Sequence, residues 1–179
     1  SIISYQNKNT APDKLNLKGV KKGIGYINHT ENLIKEPMNF SEKNFISIND
    51  LHKIIKILFF SDKFEESRRF NLTQTQKDLI FKYMSGYPKE FGYDENDYPY
   101  YFNKFFIYGD KELGFSNSFE IYNKVGFAYG QLTDTAYIIY DDISIILTAT
   151  IDVNSNKIYN DDNYDYCLLY TSDAADEHS

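Results

Sequence analysis

Between Ser47 and Leu58 the apolar residues Ile48, Leu51, Ile54, Ile55 and Leu58 recur three and four positions apart, the spacing of one buried helix face. Ser47, with Asp50 three residues on, gives that helix a capping-box-like start. A second helix is predicted from Thr73, where Gln76 completes another such box, through Leu79, Ile80, Tyr83 and Met84. Gly86 and Pro88 end it, because glycine disfavours the helical backbone and proline has no amide proton. From Phe105 onward the pattern changes. Phe105–Tyr108, Phe119–Ala128, Asp134–Tyr140 and Ser144–Val153 are rich in aromatic and β-branched residues, which predicts strands. Gly109-Asp110, Tyr129-Gly130-Gln131 and Asp141-Asp142 separate them, and connections this short join antiparallel neighbours. Residues 1–46 read as polar and loop-rich, with short extended pieces around Gly19–Ile27, and 89–103 as an irregular aromatic, acidic loop. The predicted class is α+β: a C-terminal antiparallel meander of three to four strands, packed with helices.

A length of 179 residues suits one domain with a sizeable core. No apolar run approaches the eighteen or so residues that a membrane-spanning helix requires, so no such span is expected. The formal charge of −7 gives no electrostatic reason to expect a nucleic-acid partner. The 17 Tyr and 14 Phe raise an aromatic-rich carbohydrate-binding module as an alternative, with Tyr98, Tyr100 and Tyr101 as its candidate platform. Coding bias toward A/T-rich codons together with core filling is the favoured explanation, since buried aromatics mainly supply apolar area.

Both ends look non-native. Ser1 is neither an initiator Met nor the start of a signal peptide. The stretch Cys167-Leu168-Leu169-Tyr170-Thr171-Ser172-Asp173-Ala174-Ala175-Asp176-Glu177 resembles a translated sequencing-library adapter. Residues 1–166 are therefore taken as one partial domain and 167–179 as an adapter-derived tail. The single Cys falls in that tail, which removes disulfides, Cys-based metal sites and thiol nucleophiles from the native part.

The chemistry-bearing motif is Lys124-Val125-Gly126, inside a predicted strand. Alone, such a triplet is an ordinary surface lysine before a glycine. Its surroundings are more specific: Ile121-Tyr122-Asn123-Lys124-Val125-Gly126-Phe127-Ala128-Tyr129-Gly130, then Leu132-Thr133-Asp134-Thr135-Ala136-Tyr137 and Ile145-Ile146-Leu147-Thr148-Ala149-Thr150. In this order, over roughly residues 20–166, the chain resembles the serine β-lactamase and penicillin-binding transpeptidase superfamily, in a β-lactamase-related serine hydrolase branch of Bacteroidetes type. The resemblance implies an acyl-enzyme mechanism on a β-lactam, ester or peptide-like substrate, without cofactor or metal, in the periplasm or cell envelope.

It also implies roles. Lys124 would hold a positive charge beside the reacting serine and assist proton movement. Gly126 would let substrate approach the strand, and the N–H of Phe127 would be an oxyanion-hole donor. Val125 stands where the family carries a Thr or Ser hydroxyl, which puts recognition of a β-lactam carboxylate in doubt. Glu36, in Glu36-Pro37-Met38-Asn39, resembles the start of a loop that supplies a deacylating base, although its spacing departs from the family's.

No Ser is followed by Lys at the third position, and Ser-Asp-Asn does not occur. The nucleophile is therefore expected upstream of Ser1, and this chain alone is not expected to catalyse acyl transfer. A catalytically inactive, β-lactamase-like cell-envelope binding protein is the alternative. The tail leaves no room for the family's final helix, which would cover one face of the sheet. His29 and His52 are far apart in sequence and lack the spacing of a metal site, and Asp161-Asp162 with Asp165 lacks that of a calcium loop. The oligomeric state is not legible.

Overall fold

The computed structural model describes residues 18–109, 114–164 and 166. The adapter-like tail, Asp165 and Asp110 lie outside the described residues. In chain order the strands and α-helices are β1 (Lys21–Lys22), β2 (Gly25–Ile27), β3 (Leu33–Ile34), β4 (Met38–Asn39), α1 (Ile48–Phe59), α2 (Gln74–Ser85), α3 (Phe105–Tyr108), β5 (Phe119–Ala128), β6 (Gln131–Tyr140), β7 (Ile143–Asp152) and β8 (Ile158–Tyr159). Short 3-10 turns occur between α1 and α2 and between α2 and α3.

Local signals place both long helices. The Ser47 hydroxyl accepts from the amide of Asp50 at the start of α1. Thr73 and Gln76 form a complete capping box ahead of α2, and Gly86 closes that helix. On α1, Ile55 and Leu58 are buried as expected, whereas Ile48 and Ile54 are exposed. Leu79 and Tyr83 on α2 are exposed as well. A helix lying on a sheet buries a narrower stripe than the apolar spacing alone suggests.

Strands β5, β6 and β7 form an antiparallel meander in that spatial order. The two-residue turn Tyr129-Gly130 has φ of 55° and 70°, the left-handed pair whose twist suits a tight hairpin. Directly paired residues share a face, so the sheet has two distinct sides. On one side, Tyr122 and Tyr137 meet Phe59 of α1, and Tyr122 also meets Phe81 of α2. The other side carries Ile121, Ala136 and Ile138, buried together with Tyr108 of α3 and flanked by Tyr100, Tyr101 and Phe119. Along that same side β7 leaves Ile143, Ile145, Leu147 and Ile151 exposed.

One expected strand is corrected. Phe105–Tyr108 is a helical turn: the Tyr108 amide bonds the Lys104 carbonyl and the Gly109 amide that of Phe105. Four consecutive bulky residues carry no alternation to favour a strand, and burying Tyr108 against the sheet decides the conformation. The meander therefore has three strands. A further pairing was not foreseen: β8 pairs in parallel with β2, and β3 completes this second small sheet. Together with β1 pairing β4, it ties the N-terminal segment to the end of the meander.

The hairpin turn also predicts a mutational effect. A Cβ on Gly130 would lie 2.5 Å from the Asn154 Cβ, at a backbone φ that L-residues disfavour. Gly130→Ala should cost about 2–4 kcal/mol in urea unfolding, combining backbone strain with overpacking. Gly126 has no neighbouring atom within 4 Å of the place a Cβ would take. It should tolerate alanine within ~0.5 kcal/mol.

Candidate active site

Strand β5 lies at one border of its sheet, so alternate residues turn their backbone groups away from β6. Which residues do so follows from two side-chain contacts. The Lys104 ammonium donates to the Ile121 carbonyl at 3.1 Å, and the Lys124 ammonium donates to the Val125 carbonyl. Odd-numbered residues of β5 thus present their backbone to the free border. In an antiparallel strand the N–H of a residue points to the same side as its C=O, so the Phe127 amide is directed outward too.

Lys124, Val125, Gly126 and Phe127 all line one cleft of about 770 Å³. Its opposite wall comes from the segment before α1 and the first turn of that helix, through Phe45, Ile46, Ile48 and Leu51. Lys22 and Lys43 contribute further cations. Beneath the mouth, Phe40, Tyr129 and Tyr159 pack edge to face, and the Lys43 ammonium sits 5.3 Å from the Tyr129 ring centre. Val125 faces the same side as Asp134, its partner in the register, and brings no hydroxyl to the cleft. Glu36, exposed between β3 and β4, is not among the residues lining this cleft.

Thr133 lies opposite Gly126 on β6, and Thr150 opposite Thr133 on β7, with their hydroxyls 2.8 Å apart. One row deeper, Thr135 and Thr148 repeat the pairing at 2.7 Å, and His52 of α1 reaches Thr148 at 3.2 Å. His52 is thereby a contact between α1 and the sheet. Of the candidate aromatic platform, Tyr100 packs against Tyr101 and buried Tyr108, while Tyr98 stays exposed beside Tyr93.

The sheet's other side holds a polar network that the sequence did not announce. Lys104 is only 1% exposed. Its ammonium donates to the carbonyls of Met84 at 2.6 Å and Ile121 at 3.1 Å, and to the Asn123 Oδ1 at 2.8 Å. The Asn123 amide donates in turn to the Asn103 carbonyl and to both oxygens of buried Asp134, at 2.9 and 3.1 Å. Burial lowers the Lys104 pKa to about 8, although Asp134 and Glu90 oppose the shift. Burial raises that of Asp134 to about 6, against hydrogen bonds from Asn123 and the charge of Lys104. Asn123 immediately precedes Lys124, and Asp134 pairs with Val125. The network therefore braces the strand whose border lines the cleft. The one signal that could have found it is parity: Asn123 alternates with Ile121, and Asp134 with Ala136 and Ile138, at positions that face the core.

Compared with known proteins, the chain matches no family model, no curated protein and no solved structure.

Proposed function

We propose that this chain is part of a serine hydrolase of the β-lactamase-like fold, acting on an ester, peptide-like or β-lactam substrate through an acyl-enzyme. The observation that carries this reading is the convergence of the Lys124 side chain and the outward-facing Phe127 amide on one cleft. The nucleophile would come from a segment preceding Ser1. Its Oγ attacks the substrate carbonyl, the bond to the amine or alcohol leaving group breaks, and the hydroxyl proton passes to that group, while the Lys124 ammonium supplies positive charge and assists this proton movement. The Phe127 N–H donates to the oxygen that becomes anionic, and water then releases the acyl group. Gly126 leaves open space above the strand for the substrate's approach.

The exposed apolar stripe on β7 also fits this reading, because the family's final helix would cover one face of the sheet. Among the described residues no helix is long and apolar enough to cross a membrane, and the proposed compartment is the periplasm or cell envelope.

The test is intact-mass analysis of the complete reading frame after exposure to a serine-reactive phosphonate. One phosphonyl adduct per chain, on a serine outside residues 1–179, is the expected result. Absence of any adduct on the folded protein would leave the inactive binding protein as the better account.

A further inference from the structure

A lysine ammonium has three N–H donors, and Lys104 meets three acceptors: the Met84 carbonyl at 2.6 Å, the Asn123 Oδ1 at 2.8 Å and the Ile121 carbonyl at 3.1 Å. Every donor is used. Met84 lies in the last turn of α2, whereas Ile121 and Asn123 lie on β5, the strand whose free border lines the cleft. A second link runs beside the first, since Asn103 donates to the Gly86 carbonyl and its own carbonyl accepts from Asn123. The inner edge of β5 is fixed by pairing with β6 from Phe119 to Ala128. At its outer border the Ile121 carbonyl is held by a side chain, through the longest of the three bonds. A neutral amine keeps only two N–H donors, so loss of the proton releases one acceptor, and the Ile121 carbonyl is the one held least closely.

We propose that Lys104 is a positioning residue for the acyl-transfer site: its ammonium clamps the β5 border to the end of α2, and loss of its proton frees that border and displaces the Phe127 amide. This rests on the hydrolase reading and adds a control to the same cleft. Burial lowers the Lys104 pKa to about 8, so the neutral amine suits its surroundings even as the third bond is lost. Among the described residues, the charged and titratable groups around Lys104 are Asp134 on β6, Glu90 in the turn after α2, and Tyr87, whose ring centre lies 5.5 Å from the ammonium. Asp134 and Glu90 favour the charged lysine. Burial pushes the Tyr87 hydroxyl well above its ordinary range, so it stays protonated throughout.

The experiment is a pH titration followed in two ways. In NMR spectra of the 179-residue chain, the Phe127 amide should shift with a midpoint at about pH 8, while the Lys53 amide on α1 stays flat over the same transition. Asp134→Asn removes a carboxylate that favours the ammonium and should move the midpoint to lower pH. Lys104→Arg keeps its charge and should abolish the transition; where arginine does not fit the site, Asp134→Asn decides alone. On the complete protein, phosphonate labelling at saturating probe should slow about tenfold between about pH 7 and 9, with the half-saturating concentration held within about twofold. The midpoint of that fall should follow the amide's in each variant. A Phe127 amide with no transition near pH 8, a midpoint unmoved in Asp134→Asn, or a saturating rate that does not fall would each overturn the clamp. Absence of labelling at every pH would instead sink the hydrolase reading, and the amide titration would still report on the clamp itself.

Discussion

Replacing Lys104 with methionine should lower the unfolding free energy by about 3–5 kcal/mol, the usual cost of breaking a buried charge network by removing one partner. The carbonyls of Met84 and Ile121 and the Asn123 Oδ1 would each lose a donor in a place that water does not reach easily. Asp134 would also lose the cation that offsets its burial. Methionine keeps most of the lysine stem's volume, so the loss reports the polar contacts more than a cavity. Against a typical total of about 5–15 kcal/mol, such a change would leave the domain marginal. Urea unfolding is the measurement, with Lys53→Met as a control expected to fall within ~0.5 kcal/mol of the parent. A loss below about 1 kcal/mol for Lys104→Met would mean that the network contributes little.

The same network gives stability an unusual dependence on pH. The folded-state pKa of Asp134, about 6, lies above its ordinary 3.8. Folding therefore takes up a proton between these values, and the associated stability is full below about pH 4 and lost as pH rises through about 6. Lys104 runs the other way. Its folded-state pKa, about 8, lies below the ordinary 10.5, so its contribution is full above that value and lost as pH falls through about 8. Together they place a minimum of the network's contribution between about pH 6 and 8, with the acidic limb on the order of 3 kcal/mol. Asp134→Asn should flatten that limb between about pH 4 and 6 when unfolding free energies are compared across the range. An acidic limb that persists unchanged in Asp134→Asn would assign it to other groups.

Much of the architecture was legible because its signals are local. Ser47, Thr73 and Gly86 mark helix ends through contacts within a few residues, and Gly130 signals a hairpin through its tolerance of positive φ, although Tyr129 beside it adopts φ of 55° against its own preference. The alternation through β5 and β6 states which side is buried. Phe105–Tyr108 misled because aromatic richness accompanies strands but does not specify them, and burial of Tyr108 decided the outcome. The parallel pairing of β2 with β8 joins strands of two and three residues across more than half the chain, and no local pattern announces it.

The site divides in the same way. Lys124, Gly126 and Phe127 are near neighbours in one strand, so the sequence alone already sets them side by side. Lys104, Asn123 and Asp134 become neighbours only through the register of β5 on β6 and the packing of the segment before α3. Lysine is seldom fully buried, so nothing singled out Lys104 in advance. Lys22 and Lys43 likewise reach the cleft through tertiary contacts of a segment that reads as loop.

The rate of phosphonate labelling of the complete protein, compared between the parent and Lys124→Ala, tests the assignment of the β5 border most directly. Loss of a charge that acts on the reacting oxygen should slow labelling by about 100- to 1,000-fold while thermal stability stays within a degree or two of the parent. Labelling of Lys124→Ala at the parental rate would contradict the account.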